Sequence, residues 1–358
     1  MRPKLPSAQR LGPYLRSIDS SRIYSNFGPL VDSLEERLAA HFNLPKGTVA
    51  TVANATFGLT LALMAQNARP GTLCAIPAWT FIASAQSAVM AGLVPYFVDV
   101  DAETWAADPD TIAAMIAGAP QPVGAVMPVV PFGRPVDIAA WDRFRSRTGL
   151  PVVIDAAAGF DAVTAGTTPA VVSLHATKVF GVGEGGFVMS EDSSLIDEIR
   201  DRSNFGFAIS REAVKPAINA KLSEYHAAVG LAALDEWDQV RNEWMAVAEA
   251  YRQALPETNW MRFQEGFGIS WITSTCVLSV FDAGAEQAER VMAKAGIETR
   301  RWWGRGAHAH PATAAFPRTL LSVTEELART TIGIPFFRDL DAGEIERIAD
   351  ALSVASAA

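Results

Sequence analysis

Lys178 stands where solubility does not explain a lysine. It ends the run Ser173-Leu174-His175-Ala176-Thr177-Lys178, which leaves an apolar stretch at Val171–Leu174, and the glycine-rich turn Gly181-Val182-Gly183-Glu184-Gly185-Gly186 follows. Lysines ordinarily occupy solvated faces. A partly desolvated lysine loses proton affinity and becomes a nucleophile for a carbonyl, which is what a Schiff base requires. Upstream, the apolar run Val152–Ile154 ends at Asp155-Ala156-Ala157-Ala158-Gly159. An acid there is either a turn or helix-capping carboxylate or a charge poised over a ligand.

Two further junctions have the same form. Val49–Ala53 leads into Asn54-Ala55-Thr56-Phe57-Gly58, where small residues let backbone N–H groups point at an anion, although Asn54 or Thr56 could equally be simple helix caps. Thr72–Ile76 leads into Pro77-Ala78-Trp79-Thr80. Trp79 could cover a flat ring or be an ordinary core tryptophan. An anion cradle, an aromatic cover, a carboxylate and a nucleophilic lysine are together what pyridoxal phosphate needs. The glycine run is a poor nucleotide loop, since it lacks the Gly-Lys-Ser/Thr ending and leads into a strand-like stretch, Phe187–Ser190.

The elements that must carry these residues alternate. Strand-like runs at Val49–Ala53, Thr72–Ile76, Val94–Val98, Val123–Pro128, Pro151–Ile154 and Val171–Leu174 are interleaved with helical patterns such as Phe57–Asn67, Ile82–Met90 and Thr111–Ala117. That alternation predicts an α/β fold with a mainly parallel sheet covered on both faces, and ligands bind at the carboxyl ends of such strands. Leu30, Leu34, Leu38 and Phe42 mark an amphipathic helix, and the first 20 or so residues read as an arm. One or two long helices are expected across Leu231–Ala254. Beyond them lie a strand at Thr275–Val280 and a helix at Glu286–Lys294. The expected division is therefore 1–240, an arm and a large cofactor-binding domain, and 241–358, a small C-terminal domain.

The 358 residues are 49% hydrophobic and carry 30 basic against 39 acidic side chains, a net charge of −9. This argues against a nucleic-acid partner. With no signal core and no long apolar run, neither a membrane span nor export is expected, and a cytoplasmic location is the simplest reading. Two cysteines, Cys74 and Cys276, can form neither a disulfide framework nor a four-cysteine zinc site, and both read as buried thiols. His308 and His310 lack companions for a metal site, so no metal is expected.

The order and spacing of these motifs resemble the DegT/DnrJ/StrS family of nucleotide-sugar aminotransferases, over most of the chain. The segments that carry the resemblance begin with Tyr24-Ser25-Asn26-Phe27-Gly28-Pro29, Asn54-Ala55-Thr56, Pro77-Ala78-Trp79-Thr80 and Asp155-Ala156-Ala157. Ser173 to Lys178, Gly183-Glu184-Gly185-Gly186, Arg202-Ser203-Asn204-Phe205-Gly206 and Asn219-Ala220-Lys221-Leu222-Ser223-Glu224 complete them. The resemblance implies a three-layer fold of the aspartate-aminotransferase type. It has a mainly parallel seven-stranded sheet in the large domain and a smaller α+β C-terminal domain. It implies pyridoxal 5'-phosphate, with pyridoxamine phosphate as the intermediate form.

By the same resemblance Lys178 is the Schiff-base lysine and Asp155 the partner of the pyridine nitrogen. Trp79 stacks on the ring, and Ala55, Thr56 and Ser173 hold the phosphate. Asn219 reaches the neighbouring subunit's cofactor, which makes the active unit a homodimer. Ala158 stands where the family usually has Gln or His beside the cofactor. Asn26, Phe27, Glu184, Trp303 and His308 fall on the substrate side. The implied reaction moves an amino group from L-glutamate to a nucleotide-linked keto-sugar, at C4 of a 4-keto-6-deoxyhexose, with C3 amination or a non-catalytic PLP-binding regulator as alternatives. A lysine rather than a histidine at 178 argues against the dehydratases of the same fold.

Overall fold

The computed structural model describes residues 2–208, 210–281 and 284–356. Seven strands form its central layer: β1 (Val49–Val52), β2 (Leu73–Pro77), β3 (Val94–Val98), β4 (Val123–Val126), β5 (Ile154–Asp155), β6 (Ala170–Ser173) and β7 (Gly186–Met189). They make two ladders, ordered β1-β7-β6-β5 and β3-β2-β4. Parallel single-residue bridges, Val126 to Val152 and Val129 to Asp155, join β4 to β5. β7 runs antiparallel to both its neighbours, whereas β5–β6, β2–β3 and β2–β4 pair in parallel.

The strands read as continuous apolar runs because both faces are covered. Successive residues serve opposite faces. Leu73 and Ala75 of β2, with Val172 of β6 and Phe187 of β7, join the core that contains helix Pro29–His41. Cys74, Ile76, Val171 and Val188 join the core beneath helices Ala55–Ala65 and Ser193–Ser203. A second, antiparallel sheet follows, of β8 (Met261–Phe263), β9 (Cys276–Val280) and β10 (Thr331–Ile334), with β9 central. Helix Gly284–Lys294 packs on it and on the last helix, Ala342–Ser356. The expected division at residue 240 falls inside helix Trp237–Ala254. Both cysteines are buried and unpaired, Cys74 in the large sheet and Cys276 in the small one. Among the described residues no helix is long and apolar enough to cross a membrane.

The amino-terminal segment departs from expectation. Residues Ala8–Ser21 are helical with Pro13 inside, rather than an arm, and the Ser7 hydroxyl caps the start by accepting from the N–H of Arg10. The stripe Leu11, Tyr14, Leu15 and Ile18 explains the difference. It gives one apolar face at helical spacing, and Ile18 is fully buried against the core. That burial offsets the carbonyl left unpaired by Pro13. Ile18→Ala should therefore cost about 2–5 kcal/mol, read as a lower urea midpoint at unchanged m-value. An unpacked arm would leave the midpoint where it is.

Candidate active site

The carboxyl ends of β1, β2, β5 and β6 open on one cavity of about 370 Å³, within the ~300–1,000 Å³ range of small-molecule sites. Ala55, Thr56, Asp155, Ala158, Ser173, Lys178, Glu184 and Trp303 all line it.

At one end lies the start of helix Ala55–Ala65. The Asn54 side chain accepts from the N–H of Phe57 at 2.9 Å and fixes the first turn. The first-turn N–H groups of Ala55 and Thr56 have no intrahelical carbonyl to meet, and the helix dipole adds positive potential there. Gly186 of β7 is required at this point, because a Cβ on it would lie 2.8 Å from the nitrogen of Ala55. Ser173, the last residue of β6, brings its hydroxyl to the same cavity and accepts from the N–H of His175 at 3.2 Å.

Asp155 is buried at the end of β5. Its carboxylate accepts from the Ser84 hydroxyl at 2.6 Å and from the N–H of Ala157 at 3.1 Å. Burial pushes its pKa up, opposed by Ser84, by the Ala157 N–H and by the charge of Lys178. Burial likewise pulls Lys178 below the ordinary lysine range, with Asp155 acting the other way. The lysine amine carries no hydrogen bond or ion pair among the described residues. It is not half of a structural salt bridge. The turn behind it depends on Gly181, where a Cβ would lie 2.9 Å from two backbone carbonyls.

Ser84→Ala removes the largest influence that keeps Asp155 ionised. A carboxylate with a raised pKa loses its charge at a higher pH as the solution is acidified. The acid limb of the rate profile should therefore move to higher pH in this variant, with the alkaline limb unmoved. A pH series of kcat/KM checks this.

The structure places the expected ring-stacking residue outside the cavity. Trp79 is 2% exposed and lies outside the cavity, packed edge-on against Phe132 and Trp303. Phe81, two residues on, is 58% exposed and lines the cavity. Trp79 follows the last residue pair of β2 and is drawn into an aromatic cluster with Trp105 and Val277. Phe81 is the non-helical residue that opens helix Ile82–Met90. His308 lies away from the cavity as well. The backbone of Ala307 bonds to Ala78, and the short turn Ala307–Ala309 buries His308 beside the ring of Phe97, away from the cavity.

Asn26, Phe27 and Asn219 also lie outside this cavity. Asn26 and Phe27 take left-handed backbone conformations, with φ of 65° and 58°. The Phe27 ring sits under the Arg200 guanidinium, and Asn219 accepts from Lys221 at 2.8 Å.

Sequence reasoning missed Phe81, Ser84, Phe132 and the hydroxyl row Thr273-Ser274-Thr275 as neighbours of the site. Ser84 is one helical turn beyond Thr80 and bonds it at 2.7 Å. That spacing was the available signal. The imidazole of His175 is a further lining group. Its Nδ1 accepts from the N–H of Thr177, and its Nε2 is 3.6 Å from Glu184.

An anion cradle, a buried carboxylate, an open aromatic face and an unpaired amine on one cavity fit the phosphate, pyridine nitrogen, ring and aldehyde of pyridoxal phosphate. The family model described as the DegT/DnrJ/EryC1/StrS aminotransferase family matches residues 8–353. The chain belongs to this family. It is a pyridoxal-phosphate-dependent aminotransferase. Among curated proteins it is similar to the dTDP-4-amino-4,6-dideoxy-D-glucose transaminase of Shigella dysenteriae, 32% identical over 71% of this chain and 69% of that one. Among solved structures, a Bacillus cereus protein assigned as a PLP-dependent aminotransferase matches with a TM-score of 0.90 at 28% identity, covering 99% of this chain and 98% of that one. DesI, crystallised in the presence of its TDP-sugar product, matches with a TM-score of 0.87 at 30% identity, covering 99% and 91%.

Proposed function

We propose that this aminotransferase moves the amino group of L-glutamate to C4 of a nucleotide-linked 4-keto-6-deoxyhexose, for deoxyamino-sugar synthesis. The observation that carries the reading is one cavity holding an unpaired, half-buried lysine and a buried aspartate, in a chain 32% identical to a 4-amino-4,6-dideoxyglucose transaminase.

Pyridoxal phosphate, when bound, supplies the electron sink that makes the carbon beside the amino group acidic. The N–H groups of Ala55 and Thr56 and the hydroxyl of Ser173 would hold its phosphate. Phe81 offers an apolar face to its ring. Asp155, oriented by Ser84 and the Ala157 N–H, would accept a hydrogen bond from the ring nitrogen and favour its protonation. Lys178 Nζ, free as the amine, would take the proton from the donor's carbon and hold it as the ammonium, and in the second half-reaction it would return a proton to the carbon that receives the amino group. Trp303, stacked on Phe132 at 3.8 Å, walls the cavity against water, and Glu184 faces the substrate.

The active unit in this reading is a homodimer. Asn26, Phe27 and Asn219, which do not line their own cavity, would complete the partner's. Half-exposed Tyr24, two residues before Asn26, stacks on half-exposed Tyr225 at 6.2 Å.

The test supplies the PLP-loaded protein with L-glutamate and dTDP-4-keto-6-deoxyglucose and identifies products by NMR. Bleaching of the visible cofactor band by glutamate, followed by a 4-amino-4,6-dideoxyhexose, is the expected result. Bleaching followed by amination of a 3-keto sugar alone would overturn the C4 assignment.

A further inference from the structure

Thr273, Ser274 and Thr275 are three consecutive hydroxyl residues immediately before β9. All three line the cavity of Asp155 and Lys178. Ser274 also lines the narrow cleft that reaches Lys178 from the side of Phe336 and Arg338. Among the described residues none of the three hydroxyls has a hydrogen-bond partner, and that of Thr275 is fully buried. Orphaned hydroxyls in a protein interior cost stability and call for a cause.

The neighbouring wall is Ala158. A Cβ on Gly133 would lie 2.9 Å both from the carbonyl of Ala158 and from Cβ of Thr273, so these backbones converge. Both sides of this recess are held in one register. Asp161, three residues after Ala158, accepts from the N–H of Ile272 at 2.9 Å and pairs with Arg241 at 2.5 Å. The hydroxyl row is therefore positioned before any ligand arrives.

The chemistry of the recess selects among the reactants. A donor's carboxylate would call for a guanidinium or ammonium, and residues 273–275 and 158 carry no charge. Neutral hydroxyls that both donate and accept suit the hydroxyls of a sugar ring. We propose that Ser274 and Thr275, given room by Ala158, bind ring hydroxyls of the acceptor sugar and so determine which hexose is aminated. This rests on the sugar acceptor proposed above.

The test compares wild type, Ser274→Ala, Thr275→Val and Thr275→Ser, all PLP-loaded. The glutamate half-reaction is followed by cofactor absorbance and the second by turnover of dTDP-4-keto-6-deoxyglucose. Ser274→Ala and Thr275→Val should each raise the KM for the keto-sugar about five- to tenfold, the size of one lost neutral hydrogen bond. The rate of the glutamate half-reaction should change less than twofold. Thr275→Ser should restore the KM. Thr275→Val should keep or raise the melting temperature, since it removes an orphaned hydroxyl. An unchanged KM, or an equal loss in both half-reactions, overturns the proposal alone. Wild type that completes the glutamate half-reaction but aminates no nucleotide-linked keto-sugar overturns the acceptor reading, and this proposal with it.

Discussion

Lys178→Ala should lose the visible cofactor band and slow both half-reactions by about 10⁴-fold, the upper end of what a positioned proton-transfer group contributes. The upper end is expected because one amine has two tasks, the covalent attachment and the proton shuttle. Burial lowers its pKa, so a larger share is neutral near pH 7 than for an exposed lysine. Lys178→Arg should rescue nothing, since a guanidinium does not release its proton in this range. Added methylamine should restore part of the proton transfer in Lys178→Ala, because the cavity is already open to a small amine. Single-turnover absorbance with L-glutamate measures all three. Turnover of Lys178→Ala within tenfold of wild type would remove this lysine from the mechanism.

Asp155→Asn tests the electrostatic half of the site and should lower turnover by roughly 10²–10³-fold, the scale of losing one preorganised charge interaction. The substitution keeps the shape and a hydrogen bond to Ser84, which now stands at 2.6 Å from the carboxylate. Cofactor should still bind, because Ala55, Thr56 and Ser173 are untouched. A second readout separates this from misfolding. Asp155 is the influence that raises the Lys178 pKa against burial. Removing its charge should let that pKa fall further, so acylation of Lys178 in the cofactor-free protein should reach half its limiting rate at a lower pH. A midpoint that stays fixed, with turnover preserved, would contradict the proposed coupling.

Much of this site was legible because strand ends are legible. Apolar runs buried on both faces announce themselves, and Asp155, Lys178 and the Ala55–Thr56 junction lie just past where those runs stop, whereas Ser173 was named only through the family resemblance. Helix Ile82–Met90 came out at the expected bounds for the same reason. What was not legible depends on which way a side chain turns. Trp79 and Phe81 are both aromatics beside one strand end, and only the packing of Phe132 and Trp303 decides that the first is core and the second is exposed. His308 looked like a substrate residue by its place in the chain, but a backbone bond to Ala78 turns it inward. The amino-terminal helix was hidden by Pro3, Pro6 and Pro13, whose local signal is opposed by the stripe ending at Ile18. The row Thr273–Thr275 sits far along the chain from Ala158, and Asp161 brings the two together only in the folded state.

The two thiols give the molecule a pair of built-in clocks. Cys74 lies in the central strand of one ladder and Cys276 in the central strand of the small sheet, and burial pushes both thiols far above the range in which a thiolate forms at neutral pH. A thiol reagent can reach either one only when its own sheet opens. Time-resolved labelling, with the two sites separated by peptide mass, should therefore report the opening frequency of each sheet separately. Adding pyridoxal phosphate should slow the Cys74 clock, because the ligand binds the closed form at the ends of the large-sheet strands.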